Sequence, residues 1–329
     1  MSEEASLAVL DALADGALHS GEVLAARFGI SRAALAKRID KLRAWGLEVQ
    51  AQAGSGYQLA APYERLDAAL ICSLLSKEFA ATQAMNVAVL SSTDSTNTRL
   101  LASDAARDPQ CLLTEYQSAG RGRRGRAWLA PMGASLMFSC AWSFAAWPAR
   151  LTTLPLAVAV ALSRVLARMG LDAVQIKWPN DLHIGGKKLA GILIEPRGEA
   201  SAGCRVVIGV GLNWNLRAAQ AAELSNPWLS LDAALRARGL ELPGRNAFAA
   251  QLLAEVFNAL RHFEAHGFAP FATEWRARDV LKGRPVRVEG GSVLEGIAQG
   301  IDSDGGLLIA TTDGVQVVHA GDVSVRLES

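Results

Sequence analysis

The segment Gly120-Arg-Gly-Arg-Arg-Gly125 constrains this chain more than any other, because it has the G-x-G-x-x-G spacing of a dinucleotide fingerprint in the wrong surroundings. A strand-like run, Cys111 to Tyr116, precedes it as the fingerprint requires. Trp128, Pro131, Gly133 and an apolar extended run come after it. No helix N-terminus is therefore available for a pyrophosphate, and no acid stands about 20 residues further on. The doubly wound dinucleotide fold is excluded, and so is a P-loop, whose closing Gly-Lys-Ser/Thr is missing. Four of the six residues from Arg121 to Arg126 are arginine. A glycine loop loaded with guanidinium groups suits clamping carboxylate and phosphate oxygens. Its charges repel one another, which predicts a loop disordered on its own that orders over an anionic ligand, with the glycines as hinges. A solvated basic loop or a second nucleic-acid patch would have the same composition.

At 329 residues the chain is long enough for two or three domains. Half its residues are hydrophobic and 20% are charged, which excludes a mainly disordered protein. The longest apolar run, Leu154 to Leu162, has a proline inside it and falls short of the roughly 20 residues that cross a bilayer, so no membrane partner is expected. The acidic start, Met1-Ser-Glu-Glu4, lacks the layout of a secretory signal. Cys72, Cys111, Cys140 and Cys204 form no C-x-x-C, which argues against a zinc knuckle, a redox pair or a disulfide framework. A cytoplasmic protein is expected.

The net charge of +1 hides an uneven distribution, since Arg27 to Arg43 holds six Lys or Arg against one acid, Asp40. Residues 1–62 read as an apolar helix from Leu7 to Leu13, a short helix from Gly21, a turn at Gly29-Ile-Ser31, and a basic helix. Ser31 is a good N-cap, and Leu35, Ile39 and Leu42 make one buried stripe. Alternation then replaces helical period, with Leu47 and Val49 on one arm and Tyr57 and Leu59 on the other, joined through Gly54-Ser-Gly56. This order is a winged helix-turn-helix, and Ser31, Arg32, Lys37, Arg38 and Lys41 are its candidate DNA contacts.

Ala60-Ala-Pro62 reads as a linker, and a helix from Asp67 to Phe79 follows. Residues 66–278 alternate strand-like runs with helices at Pro155 to Met169 and Asn246 to Ala265, a mixed α/β unit within an α+β chain. Residues 279–329 carry short β runs spaced by Gly and Asp turns, which predicts a small β-barrel.

Lys177-Trp-Pro-Asn-Asp181 ends a strand. Turn chemistry explains much of it, and a polar cluster for a nucleotide or metal is the other reading. Lys188 stands at the threshold of the apolar run Leu189 to Ile194, either solvated or aimed into a site. Ser95-Thr-Asn97 offers two hydroxyls and an amide for a polar head group, or an ordinary helix cap before Leu100. His262 and His266 lack the H-E-x-x-H pattern, and no protein metal site is expected.

Asp94-Ser-Thr-Asn97, Glu115 to Arg126, Lys177 to Asp181, Lys188-Leu-Ala-Gly-Ile-Leu193 and Gly209-Val-Gly-Leu-Asn213 together resemble the biotin-protein ligases in order and spacing. With Ser20-Gly-Glu22 and Ile30 to Ala34 in front, the chain is similar to the bifunctional class that is both ligase and biotin-operon repressor. The resemblance spans all three units and implies a biotin-ligase catalytic domain followed by an SH3-like barrel. It implies biotin and ATP as substrates with Mg2+, biotinyl-5'-AMP as intermediate, and a lysine of the biotin carboxyl carrier protein as acceptor. A homodimer on operator DNA is implied for repression.

By the same resemblance Ser95, Thr96, Asn97 and Gln117 would hold biotin. Arg121, Gly122 and Arg123 would close over its carboxylate and the phosphate, and Lys188 would sit beside both, which makes Lys188, Arg121 and Arg123 the catalytic set. Trp128, Asn180, Asp181 and Asn213 would neighbour the adenylate or pyrophosphate. The wing has Ser55 between its glycines where family members often have a basic residue, so one phosphate contact is absent. Two other readings are a regulator that senses an adenylate without transferring it, and a lipoate-protein ligase.

Overall fold

The computed structural model describes residues 3–78, 86–103, 111–198, 203–222, 224, 226–290, 293–321 and 324–327. Met1 and Ser2 of the acidic start, and Phe79 at the end of the helix expected from Asp67, lie outside the described residues.

The amino-terminal unit comprises α1 (Glu3–Leu13), α2 (Gly21–Arg27), α3 (Arg32–Ala44) and an antiparallel hairpin of β1 (Val49–Gln52) and β2 (Gly56–Leu59). Ser20 and Ser31 cap α2 and α3 by accepting from the amides of Val23 and Ala34. The stripe Leu35, Ile39 and Leu42 is fully buried against Leu7, Leu10, Leu13 and Leu24, as the periodicity predicts. The winged helix-turn-helix is therefore present.

The central unit runs through α4 (Ala68–Glu78), β3 (Val87–Thr93), α5 (Thr96–Leu101), β4 (Cys111–Gln117), β5 (Ser135–Phe144) and α6 (Leu154–Arg168). It continues with β6 (Gln175–Lys177), β7 (Asp181–Ile184), β8 (Lys187–Arg197), β9 (Cys204–Asn213), α7 (Leu231–Arg236), α8 (Arg245–His266) and α9 (Ala272–Arg278). Its strands form one sheet in the order β3-β4-β5-β9-β8-β7-β6, in which only β3 and β4 run parallel. Strand β7 and helices α7 and α9, four, six and seven residues long, escaped the sequence reading. The helical stretch Leu151–Arg168 is longer than its apolar run implied: 18 residues at mean hydropathy 1.4, long and apolar enough to cross a membrane. Here 67% of it is buried inside the fold, beneath the sheet and beside α8.

The last unit is a five-stranded antiparallel sheet of β10 (Pro285–Glu289), β11 (Leu294–Ile301), β12 (Leu307–Thr311), β13 (Gly314–Val318) and β14 (Ser324–Leu327). Its order is β13-β12-β11-β10-β14, and no pairing of β13 with β14 closes the expected barrel among the described residues. Val286, Val288, Ala298, Leu307, Ile309 and Val325 join the same hydrophobic core as the central sheet. Trp178, 2% exposed, fastens the two together by donating its indole N–H to the Gly305 carbonyl at 2.9 Å.

The expected linker is pinned at its far end. The Tyr63 hydroxyl donates to Glu115 Oε2 at 2.7 Å, the Leu66 amide donates to Oε1 at 2.6 Å, and Arg245 pairs with the same carboxylate at 2.8 Å. Burial and the adjoining Glu115 charge push the Tyr63 hydroxyl well above its ordinary range, so it remains a donor. Glu115 and Arg245 are 1% and 4% exposed, so removing either partner strands the other charge in a dry interior. Arg245→Ala is expected to lower the unfolding free energy by about 3–5 kcal/mol in a urea titration. Breaking the exposed Arg287–Glu295 pair with Arg287→Ala should change it by less than about 1 kcal/mol.

Candidate functional site

A cleft of about 640 Å³ opens over β8 and β9. The sequence-predicted residues Ser95, Thr96, Asn97, Gln117, Arg121, Gly122, Arg123, Trp128, Asn180, Asp181, Lys188 and Asn213 all line it. Three glycines explain how bulky groups approach the sheet so closely. A Cβ on Gly209 would lie 2.2 Å from Asn97 Oδ1, one on Gly211 would lie 2.5 Å from the Trp128 ring, and one on Gly191 would lie 3.1 Å from Lys188 Nζ. Period-2 alternation along β9 turns Gly209, Gly211 and Asn213 to the cleft while Ile208 and Leu212 enter the core.

One end of the cleft is neutral and polar. Ser95 caps α5 by accepting from the Thr98 amide, which leaves Thr96 and Asn97 in its first turn, 4% and 3% exposed. Ser95 is thus the helix cap, and all three residues of Ser95-Thr-Asn97 line the cleft. The Thr96 amide donates to Gln117 Oε1 at 2.7 Å. The Ser139 hydroxyl donates to Asn97 Oδ1 at 2.6 Å and lies 2.7 Å from the Thr96 hydroxyl. Asn97 Nδ2 donates to Glu195 at 2.9 Å and to the Leu193 carbonyl at 3.3 Å.

The other end is cationic. Lys188 Nζ stands 2.8 Å from Asp181 Oδ1 and 5.4 Å from the centre of the Trp128 ring. Asn180 bridges by donating to the Ile192 carbonyl at 2.7 Å and accepting from Arg123 at 3.3 Å. Asn213 donates to the carbonyls of Lys188 and Leu229, so its amide holds the backbone that carries Lys188. In the structure the arginine loop has a folded conformation. Arg121 bridges Ala127, the Gly122 amide donates to the Arg126 carbonyl at 2.7 Å, and a single 3-10 turn spans Arg123–Gly125. Arg121 pairs with Glu195, and Arg123 reaches the carbonyls of Ala320 and Gly321 in the last unit.

Lys177, from the polar cluster read at the strand end, lines the cleft too, whereas sequence reasoning missed His183, Glu195 and Trp228, and also Arg326, which β14 contributes to the cleft wall. Strand alternation could have found Glu195, since Gly191, Leu193 and Glu195 share a face of β8. No short-range signal brings Trp228 or Arg326 to this place. Among the described residues no group of three or more His, Cys, Asp or Glu gathers as a metal site.

The five candidate DNA contacts divide. Arg32 and Lys37 are exposed on α3, and Ser31 is exposed at its cap. Arg38 and Lys41 lean back instead, with the guanidinium 5.9 Å from the Phe28 ring centre and the ammonium 4.9 Å from that of Trp45. Both are half-buried because their stems cover apolar surface.

A helix-turn-helix head, a seven-stranded sheet with a cleft half neutral and half cationic, and an antiparallel cap that reaches into that cleft define a ligase with a DNA-binding domain. The chain belongs to the biotin protein ligase family. Residues 87–213 match the Biotin/lipoate A/B protein ligase family, residues 282–326 the Biotin protein ligase C terminal domain, and residues 7–58 an HTH domain. The bifunctional ligase/repressor BirA of Salmonella typhimurium is 39% identical over 322 residues, 97% of each chain. The biotin--[acetyl-CoA-carboxylase] ligase of Mycobacterium tuberculosis is 38% identical over 250 residues, 71% of this chain and 87% of that one. The biotin protein ligase of Aquifex aeolicus, solved in complex with biotin and ATP, superposes with a TM-score of 0.63 at 26% identity, covering 74% of this chain and 99% of that one.

His183 gives the site a pH signature. It is 8% exposed on β7 beside Asp181 and Lys177, its Nε2 is buried without a partner, and burial pulls its pKa from 6.5 down to about 4. As pH falls the unfolded chain takes up this proton first, so the contribution to stability is complete above pH 6.5 and is lost down to about pH 4. That contribution amounts to about 3 kcal/mol. In melts across that window, His183→Gln should lose correspondingly less stability than the parent chain.

Proposed function

We propose that the cleft activates biotin with ATP and passes it to a lysine of a biotin carboxyl carrier protein. A biotin carboxylate oxygen attacks the α-phosphorus of ATP, the bond to the bridging oxygen breaks, and pyrophosphate leaves with its electron pair. The neutral acceptor amine then attacks the acyl carbon of biotinyl-5'-AMP, the bond from that carbon to the phosphate oxygen breaks, AMP leaves with its electron pair, and the nitrogen gives up a proton to solvent as the amide forms. No protein nucleophile is needed. What must be overcome is repulsion between a carboxylate and a phosphate, and fixed cations relieve it most as charge builds in the transition state.

In this reading Ser95, Thr96, Asn97 and Gln117 hold the neutral head of biotin. Arg121, Arg123 and Lys188 face the two anions, with Gly122 allowing the loop backbone to come close. Trp128 supplies a flat wall for the adenylate, while Asn180 and Asn213 keep Arg123 and Lys188 in place. The observation that carries the proposal is the junction, inside one cleft, of a buried neutral donor–acceptor pocket with the Lys188–Asp181 pair and the arginine loop. Magnesium fits only as a companion of the nucleotide, because the cleft offers it Asp181, already paired with Lys188, and such ions are held largely by water and substrate phosphates. It would neutralise phosphate charge there. The proposed reaction belongs to the cytoplasm, where its substrates meet.

Lys188→Ala should slow biotin-dependent exchange of pyrophosphate into ATP by about 100-fold or more while the circular dichroism melt keeps its shape. Near-normal exchange would remove Lys188 from the chemistry. Carrier biotinylation with ATP and Mg2+ separates a ligase from a sensor that only binds the adenylate.

For repression, we infer that the adenylate favours a homodimer whose two heads bind paired half-sites of biotin-gene operator DNA, since one short helix reads too few base pairs. Gel retardation of that promoter should appear with biotin plus ATP and fade without either. A shift of equal strength without ligands would sink adenylate control.

A further inference from the structure

The neutral pocket and the arginine loop meet at a side chain that belongs to neither motif. Glu195 is half-buried on β8, just before its exposed end, and the two oxygens of its carboxylate are engaged in opposite directions. Oε2 accepts from Nδ2 of Asn97 at 2.9 Å, and Oε1 accepts from Arg121. On the first side everything is fixed, because Asn97 is 3% exposed and its carbonyl oxygen already accepts from Ser139. Gly209 also lets the amide press against the sheet. On the second side the backbone is held but the side chain is open to solvent. The Arg121 side chain is 42% exposed and sits at the start of a loop whose other arginines repel it. A bare counter-ion would need only its contact with Arg121, whereas this carboxylate spans from a buried polar residue of the pocket to a side chain largely open to solvent.

We propose that Glu195 is a positioning residue that couples the biotin head-group pocket to Arg121, holding that guanidinium where the carboxylate meets the phosphate. The inference rests on the reading of the cleft as a biotin-adenylating site. A ligand hydrogen-bonded to Asn97 polarises the amide and strengthens its bond to Glu195, and the fixed carboxylate in turn restricts the rotamers of Arg121. Chemistry in such a site is sensitive to displacements of about 1 Å, so a cation left to wander costs rate more than binding.

Glu195→Gln keeps the size of the side chain and an acceptor for Asn97 but removes the ion pair with Arg121. Pyrophosphate exchange measured over a range of biotin concentrations should show kcat reduced about 10- to 100-fold with the biotin KM changed less than about threefold. Glu195→Ala removes both links and should raise the biotin KM as well. Arg121→Ala combined with Glu195→Gln should be no slower than Arg121→Ala alone, because Glu195 acts on the rate through Arg121. Unchanged kcat in Glu195→Gln overturns the proposal, and so do losses that multiply in the double variant. Failure of the parent chain to catalyse biotin-dependent exchange would instead strike the ligase reading. Thermal melts of Glu195→Gln, expected to match the parent within a few degrees, separate a lost rate from a lost fold.

Discussion

Mutual repulsion of anions is the difficulty that this architecture is arranged around. Cations converge on the cleft from four separate pieces of chain: the arginine loop, Lys177 at the end of β6, Lys188 at the start of β8 and Arg326 on β14. Left alone they would repel one another. Asp181 and Glu195 are set among them as internal counter-ions, one against Lys188 and one against Arg121. The charges are held by a rigid sheet whose glycines allow Trp128 and Asn97 to lie directly on its surface. Burial is uneven along these strands. Lys177 is dry enough that desolvation pulls its pKa below the ordinary lysine value, while Arg121 remains half in solvent.

The cleft lining was legible in the sequence largely because two of its motifs stand at strand ends. Lys177-Trp-Pro-Asn-Asp181 and Lys188-Leu-Ala-Gly each place chemistry at a point where an apolar run meets a turn, and Gly209-Val-Gly lies inside β9 where the sheet must admit Asn97 and Trp128. Spacing along the chain therefore maps onto adjacency in the sheet. What stayed hidden arose at distance. Glu195 looked like the trailing residue of an apolar strand, and its worth depends on Arg121, 74 positions away. Trp178 read as part of a turn motif, yet it is a core residue that joins the last sheet to the central one. The common core of these two units could not be inferred from their separate β patterns. Folding of the arginine loop was likewise illegible, because its partners Glu195, Ala320 and Gly321 lie far along the chain.

The head shows the opposite balance. Its elements and buried stripe follow directly from local periodicity, but the direction of its basic side chains does not. Phe28 and Trp45 draw Arg38 and Lys41 back onto the body of the unit, which leaves Arg32 and Lys37 foremost on α3.

Trp45, at the end of α3, also touches both approaches to the arginine loop. Its ring packs on Tyr116 before the loop, and its carbonyl accepts from the Met132 amide after it. Gly46 lies so near Pro131 that a Cβ would come within 2.5 Å. The head is thus no detachable bead. A catalytic fragment cut free after Pro62 would bare Met132, now 1% exposed, beside Tyr116, leaving a greasy scar next to the active-site door. Anyone shortening this polypeptide would have to repaint that scar with polar residues before the fragment could stay dispersed in water.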